Sequence, residues 1–259
     1  MTSPALRHRQ QKLARLSTRA HLDDMARRAR AGVAAPMPED GPVATEYQGL
    51  LAQLHEDLRG LSSVQSIEKR IEKKPELLAK YRPWVAGALD VAEGDAAPQD
   101  EIVVTALIWA LDIADWSFAL DIADHCIAHR LDLPERYNRT LGCLVVEEVA
   151  EAAIKAGGNV PHDVLERVRP IATDEDMPDQ VRAKFHRALG ESWAQRAENF
   201  DPASESAPAG GKPAMVDAAL TELRRAVELN AKVGVKKLIE QLEREAKRLA
   251  EAAGASSST

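Results

Sequence analysis

The chain is poor in what a β-sheet, a disulfide framework or a membrane span would need. Aromatic residues are only 4 % of its 259 residues, while Ala and Leu abound, and that balance favours helix over pleated sheet. No run of β-branched residues alternates with period two, so the expected fold class is all-α. Cysteine is nearly absent. Cys126 and Cys143 are the two present, with neither a CxxC pair nor a histidine cluster, and they read as buried free thiols in a reducing compartment. The apolar run Ile102–Leu111 stops well short of the about 20 residues a membrane helix requires. The basic N-terminus is not followed by the apolar segment of a secretory signal. A soluble, cytoplasmic protein with no membrane contact is expected.

Several catalytic signatures are missing as well. Gly210–Gly211–Lys212 is followed by Pro213 instead of Ser or Thr, so it is no phosphate-binding loop. There is no zinc-ligand spacing, and no serine sits in a nucleophile elbow. No cofactor is expected.

Charge is present in quantity but unevenly spread. The net charge is −7. Within residues 1–30, Arg7, Arg9, Lys12, Arg15, Arg19, Arg27, Arg28 and Arg30 stand against Asp23 and Asp24, a local balance of +6 that leaves −13 for the rest. A basic segment on an acidic body suggests an anionic partner, and nucleic acid is the first candidate because phosphate neutralisation dominates such binding. Leu6, Leu13, Leu16, Leu22 and Met25 suit one helix over 5–31. Two readings remain open: an arm that contacts DNA through Arg7, Arg9, Lys12, Arg15 and Arg19, ordering as it binds, or a solvated, frayed terminus.

The rest of the chain divides at Pro- and Gly-rich breaks. Residues 32–44 form a linker, giving a first segment over 1–43. Over 44–80 a charged helical hairpin is expected. Its first helix carries Tyr47, Leu51, Leu54, Leu58 and Leu61 at steps of four and three, a seam of under three heptads. That seam serves either packing within the monomer or self-association. Its second helix, with Ile67 and Ile71 on one side, carries Lys69, Arg70, Lys73 and Lys74, either a solvated face or a second DNA contact. A central helical body follows over 81–200. It starts with a helix that Pro83 opens and Gly94 closes. Its heart is 101–131, two short apolar helices joined near Asp112–Asp115. Residues 201–213 read as a flexible loop, 214–253 as a helix pair broken at Gly234, and 254–259 as a disordered tail.

Ala119, Ala123 and Cys126 sit at steps of four and three, and Ala219, Leu223 and Ala226 repeat those steps, with Leu189–Gly190 and Trp193 before the second set. Small residues at such spacing let two helices approach closely, a weak tetratricopeptide-like character. Two imperfect copies make a hairpin and not a solenoid.

The acidic side chains deserve a functional reading too. Asp112, Asp115, Asp121 and Asp124 (beside His125), or Glu148 next to Glu147, could hold Mg²⁺ for a nuclease. The plainer account has Asp112 and Asp115 capping helices and Asp121 and Asp124 on a polar face. Glu147 and Glu148 point about 100° apart on a helix and are poorly placed to share an ion.

Particular residues also carry a resemblance. Pro83–Trp84–Val85, Trp109–Ala110–Leu111–Asp112–Ile113–Ala114–Asp115, Ala119–Leu120–Asp121–Ile122–Ala123 and Glu147–Glu148–Val149–Ala150 resemble the small terminase subunit of peduovirus-type tailed phages. So do Asp176–Met177–Pro178–Asp179, Val181–Arg182–Ala183–Lys184, Gly234–Val235–Lys236–Lys237, Leu242–Glu243–Arg244–Glu245 and the opening Met1–Thr2–Ser3–Pro4–Ala5. The resemblance runs in order through most of the chain. It departs at the inserted loop 201–213 and in lacking the strongly basic C-terminal tail that some members carry.

The resemblance implies a role in genome packaging during viral capsid assembly, in the cytoplasm of an infected bacterial host. Such subunits recognise the cohesive-end site of concatemeric double-stranded viral DNA. They hand it to a large terminase subunit with the ATPase motor, and generally form homo-oligomeric rings. The family is often labelled the endonuclease subunit, yet no carboxylate cluster here outranks its capping explanation, so cleavage is expected to depend on the large subunit. Lys236 and Lys237 would belong to a surface for that partner. Two alternatives differ in kind: a metal-dependent endonuclease using Asp112, Asp115, Asp121 or Glu148 with Mg²⁺, and a helical protein scaffold with no DNA affinity.

Overall fold

The computed structural model describes residues 3–19, 34, 36–90, 97–155, 160–201 and 210–256. Among them it has ten helices and no strand, as the composition leads one to expect. No helix among them is long and apolar enough to cross a membrane. The chain forms two compact units, Met1–Leu141 and Gly142–Thr259.

The first unit contains α1 (Pro4–Arg19), α2 (Gly41–Ser62), α3 (Ile67–Leu89), α4 (Glu101–Asp112) and α5 (Trp116–Ala128). Helix α4 is its centre. Every residue from Ile102 to Leu107 is buried, as are Trp109, Ala110 and Leu111. An apolar helix hidden on all sides needs covering from several directions, and α2, α3 and α5 all pack on it. Asp100 starts it. The Asp100 carboxylate accepts hydrogen bonds from the backbone N–H groups of Ile102 (2.8 Å) and Val103 (3.1 Å) and from Trp84 Nε1 (2.7 Å). This N-cap is wholly buried, and burial pushes its pKa up to about 6 against those three donors. The Tyr47 hydroxyl accepts from Glu101 N at 3.2 Å, and its ring lies 5.7 Å from that of Trp84. Helices α2, α3 and α4 are thereby joined around one polar cluster.

Two expectations about helix ends fail. The helices expected over 66–80 and from Pro83 onward are one, α3, with Pro75 and Pro83 inside it. An interior proline forfeits a hydrogen bond and crowds the carbonyl four residues back. Here Leu78, Tyr81, Trp84 and Val85, all fully or nearly fully buried, supply the packing that carries the helix through. The turn between α4 and α5 is not closed by aspartate caps. Asp115 stands at the N-cap of α5 with no side-chain capping bond. Instead Asp115 N donates to Ala110 O and Ala114 N to Leu111 O, with Ala114 at φ 57°. That pair of bonds with a left-handed residue is a Schellman termination. Helix α5 ends the same way: Leu131 N donates to Cys126 O and Arg130 N to Ile127 O, with Arg130 at φ 54°.

The second unit holds most of α6 (Leu141–Ile154), then α7 (His162–Asp174), α8 (Asp179–Glu198), α9 (Gly211–Leu229) and α10 (Lys236–Ser256). Helices α8 and α9 make the close hairpin that the small-residue spacing suggested. A Cβ on Gly190 would lie 2.5 Å from Leu223 Cγ and 3.2 Å from Ala219 O, so glycine permits the contact. The likeness to a tetratricopeptide remains a matter of that spacing alone. Glu222, buried in α9, ties three helices: Arg169 of α7 donates to it at 2.6 Å and His186 of α8 bonds it at 2.7 Å. Burial raises the pKa of Glu222, but His186 and Arg169 together outweigh it and hold the carboxyl below its usual range. Helix α10 packs on α9 through buried Leu242 and half-buried Leu238, Ile239, Ala246 and Leu249.

Candidate nucleic-acid interface

The basic N-terminal segment begins with a helix. Ser3 Oγ accepts from Leu6 N at 3.2 Å, and Pro4 takes the first helical position, where its missing N–H costs nothing. Gln10, Leu13 and Ala14 are buried, and the helix is seated on α3 and α2. The seat is tight. A Cβ on Gly87 of α3 would stand 2.6 Å from Gln11 O and 2.7 Å from Ala14 Cβ. Over this span the segment is a layer of the first unit and not a free arm. The expected continuation of the helix through Leu22 and Met25 to residue 31 lies outside the described residues.

The five N-terminal candidates are placed unequally. Arg7 and Lys12 are exposed, and no ion pair holds either among the described residues. Arg9 lies 3.6 Å from Glu46, and Arg15 pairs with Asp90. Arg19 occupies the last turn of α1, and its side chain is outside the described residues. Successive turns of a helix bring His8, Lys12 and Arg15 to the face opposite the buried Gln10, Leu13 and Ala14, and all three are exposed.

The second basic group is split. Lys69 and Lys73 are exposed on α3. Arg70 is half-buried and reaches Gln65 O at 3.5 Å, and Lys74 turns inward to pair with Asp112. The four do not form one cationic face.

The acidic candidates are similarly dispersed. Asp112 is held by Lys74, and Asp115 by Arg82, whose guanidinium also lies 4.2 Å from the Phe118 ring centroid. Asp121, Asp124 and Glu148 are exposed, and Glu147 lies 3.5 Å from Lys184. Among the described residues no three His, Cys, Asp or Glu side chains are grouped as a metal ion would need. The His125 and His129 rings meet at a tilt of 53° with centroids 4.6 Å apart; burial, then the neighbouring imidazole, pushes the His125 pKa down to about 4.

The α2 seam faces inward for the most part. Tyr47, Leu54 and Leu61 are buried within the first unit, while Leu51 and Leu58 are half-covered. In the second unit, Lys236 and Lys237 are exposed at the start of α10. A cavity of about 480 Å³ lies between α8, α9 and α10, lined by Ala194, Ala197, Val216, Leu238 and Leu242 together with Glu191, Glu198, Lys212, Glu245 and Arg248.

Sequence reasoning missed Gln10, Glu46, Gly87 and Asp90, which fix α1 and two of its cations. The acid–base pairs link residues 37 and 75 positions apart, and no local pattern marks them.

A family model described as the phage small terminase subunit matches residues 51–180. The chain is 35 % identical over 250 residues to the "Terminase, endonuclease subunit" of Escherichia phage P2, covering 95 % of this chain and 87 % of that protein. It is 24 % identical over 216 residues to the "Probable terminase, endonuclease subunit" of Haemophilus phage HP1, covering 81 % and 74 % respectively. No solved structure matches the chain significantly.

Proposed function

Since the chain belongs to the phage small terminase subunit family and thereby to phage DNA packaging, we propose that it recognises the cohesive-end site of concatemeric viral DNA and presents it to the large ATPase subunit. The observation that carries this reading is the docked basic helix. Helix α1 offers Arg7 and Lys12 to solvent from a fixed seat, with Arg9 and Arg15 one turn to either side of Lys12. Cations on a rigid helix can follow a phosphate backbone without the ordering entropy that a disordered arm loses on binding. Phosphate contacts set position and affinity, and the cohesive-end sequence is read by other contacts or by duplex shape.

Two partner surfaces complete the proposal. The exposed start of α10, with Lys236 and Lys237, is the surface for the large subunit. Leu51 and Leu58, half-covered on α2, are the seam positions left for contact between copies in a homo-oligomeric ring. The work takes place in the cytoplasm of the infected host.

The test is duplex binding by intact protein over a salt series, comparing cohesive-end with scrambled DNA. Arg7→Ala with Lys12→Ala should lower the slope of log K against log salt by roughly 0.9 per lost phosphate contact. An unchanged slope removes α1 from the interface. A second reading is favoured by the relatives' description as endonuclease subunits: the chain itself cuts cohesive-end DNA with Mg²⁺, through Asp112, Asp115, Asp121 or Glu148. Nicking by the purified chain alone, lost in Asp121→Asn or Glu148→Gln, would establish that second reading.

A further inference from the structure

Two of the cations on α1 are already opposed by acids from the helices it sits on. The Glu46 side chain of α2 is only 15 % exposed. It accepts from Gln10 Nε2 at 3.4 Å, and Gln10 is itself 5 % exposed. So fixed, it meets the Arg9 guanidinium at 3.6 Å, with Arg9 64 % exposed. Asp90 is the C-cap of α3 and pairs with Arg15, both more than half exposed. A carboxylate at a helix C-terminus sits against the helix dipole. Arg15 therefore supplies positive charge that this helix end otherwise lacks.

Building on the reading that α1 meets DNA, we propose that Glu46 and Asp90 act as electrostatic brakes on that interface. They hold Arg9 and Arg15 in ion pairs, so among the described side chains of α1 the cations left unpaired for phosphate are Arg7 and Lys12. A paired cation adds little to the long-range field, and it contributes to counterion release only after its acid has been displaced. The brakes act most strongly against non-specific duplex, where phosphate attraction supplies essentially all the affinity. Specificity then arises partly by suppressing the wrong partner.

The experiment measures full-chain binding to a fluorescein-labelled duplex of scrambled sequence by polarisation over a salt series. Glu46→Gln and Asp90→Asn should each tighten binding about 1.5- to 5-fold, the range that exposed ion pairs support, and steepen the salt slope. Adding Arg9→Ala to Glu46→Gln, or Arg15→Ala to Asp90→Asn, should erase each gain. Thermal unfolding by circular dichroism confirms that each variant is folded. A gain that persists without the arginine reflects bulk charge and overturns the proposal, as does no gain at all. If Arg7→Ala with Lys12→Ala lowers the slope while the acid variants change nothing, the brakes fail and the interface stands. If the arginine and lysine variants also change nothing, both fall.

Discussion

Replacing Gly87 by alanine tests whether the first helix is truly part of the body. An added Cβ would stand 2.6 Å from Gln11 O and 2.8 Å from Gln11 Cα, both backbone atoms that cannot swing aside. Helix α1 must therefore shift, and overpacking of this kind costs about 1–3 kcal/mol. The shift also loosens Leu13, buried to 9 % exposure, whose full burial is worth about 1.5–3 kcal/mol. Against this stands the gain of alanine over glycine within a helix, roughly 0.5–1 kcal/mol. The net expectation is destabilisation by about 1–2 kcal/mol. Gly49 and Gly60 of α2 provide the control, since a Cβ on either meets nothing within 4 Å. There alanine should stabilise by about 0.5–1 kcal/mol. Urea unfolding of the three variants, followed by circular dichroism, reads the sign directly. A Gly87→Ala protein as stable as the Gly49→Ala protein would refute the seat. If the seat holds, deleting residues 1–30 also removes a layer of the first unit, so DNA contact there is better probed by substitution.

Three further outcomes are expected. Ala114→Gly should stabilise by about 1 kcal/mol in chemical denaturation, because Ala114 holds φ 57° and glycine has no Cβ to strain there. Asp100 has a pKa pushed up to about 6 from 3.8, so the folded state binds its proton more tightly than the unfolded chain does. Its contribution to stability therefore falls as pH rises from about 4 to about 6, by on the order of 3 kcal/mol. Asp100→Asn, compared with wild type in urea melts at several pH values, should show that difference, and a pH-independent gap would refute it. Glu222→Ala should cost about 1–3 kcal/mol, since it leaves His186 without its carboxylate partner and Arg169 with Glu166 alone. A loss below about 0.5 kcal/mol, the size of an ordinary surface change, would show that the network adds nothing.

The helices were legible because their signals are local. The apolar run 101–131 marks α4 and α5, Gly234 marks a helix boundary, and the scarcity of aromatic and β-branched alternation marks the class. The small residues around Gly190 and Leu223 likewise announced a close hairpin. A proline's local penalty predicts an interruption at Pro83, and the burial of Trp84 and Val85 overrides it. Aspartate favours the cap position, which predicts a capping role for Asp115, while the backbone here satisfies its own carbonyls through a left-handed Ala114. The Schellman ends were hidden for the same reason: alanine and arginine do not advertise positive φ.

The candidate interface divides along the same line. That the N-terminus is basic is a matter of composition, and the identity of the family rests on residues in order along the chain. Which of those cations face solvent is a matter of three-dimensional neighbours. Arg7 and Arg9 are equivalent in the sequence, yet only Arg9 has Glu46 beside it; Lys73 and Lys74 are adjacent, yet only Lys74 finds Asp112. The sequence by itself determined fold class, helix positions and the sign of the charge, since periodicity and composition act over a few residues at a time. Only the tertiary structure decided which charges are neutralised, that Gly87 seats α1, and that the chain divides at residue 141, because each depends on pairings between segments distant in sequence, which chain entropy leaves undetermined until the core is packed.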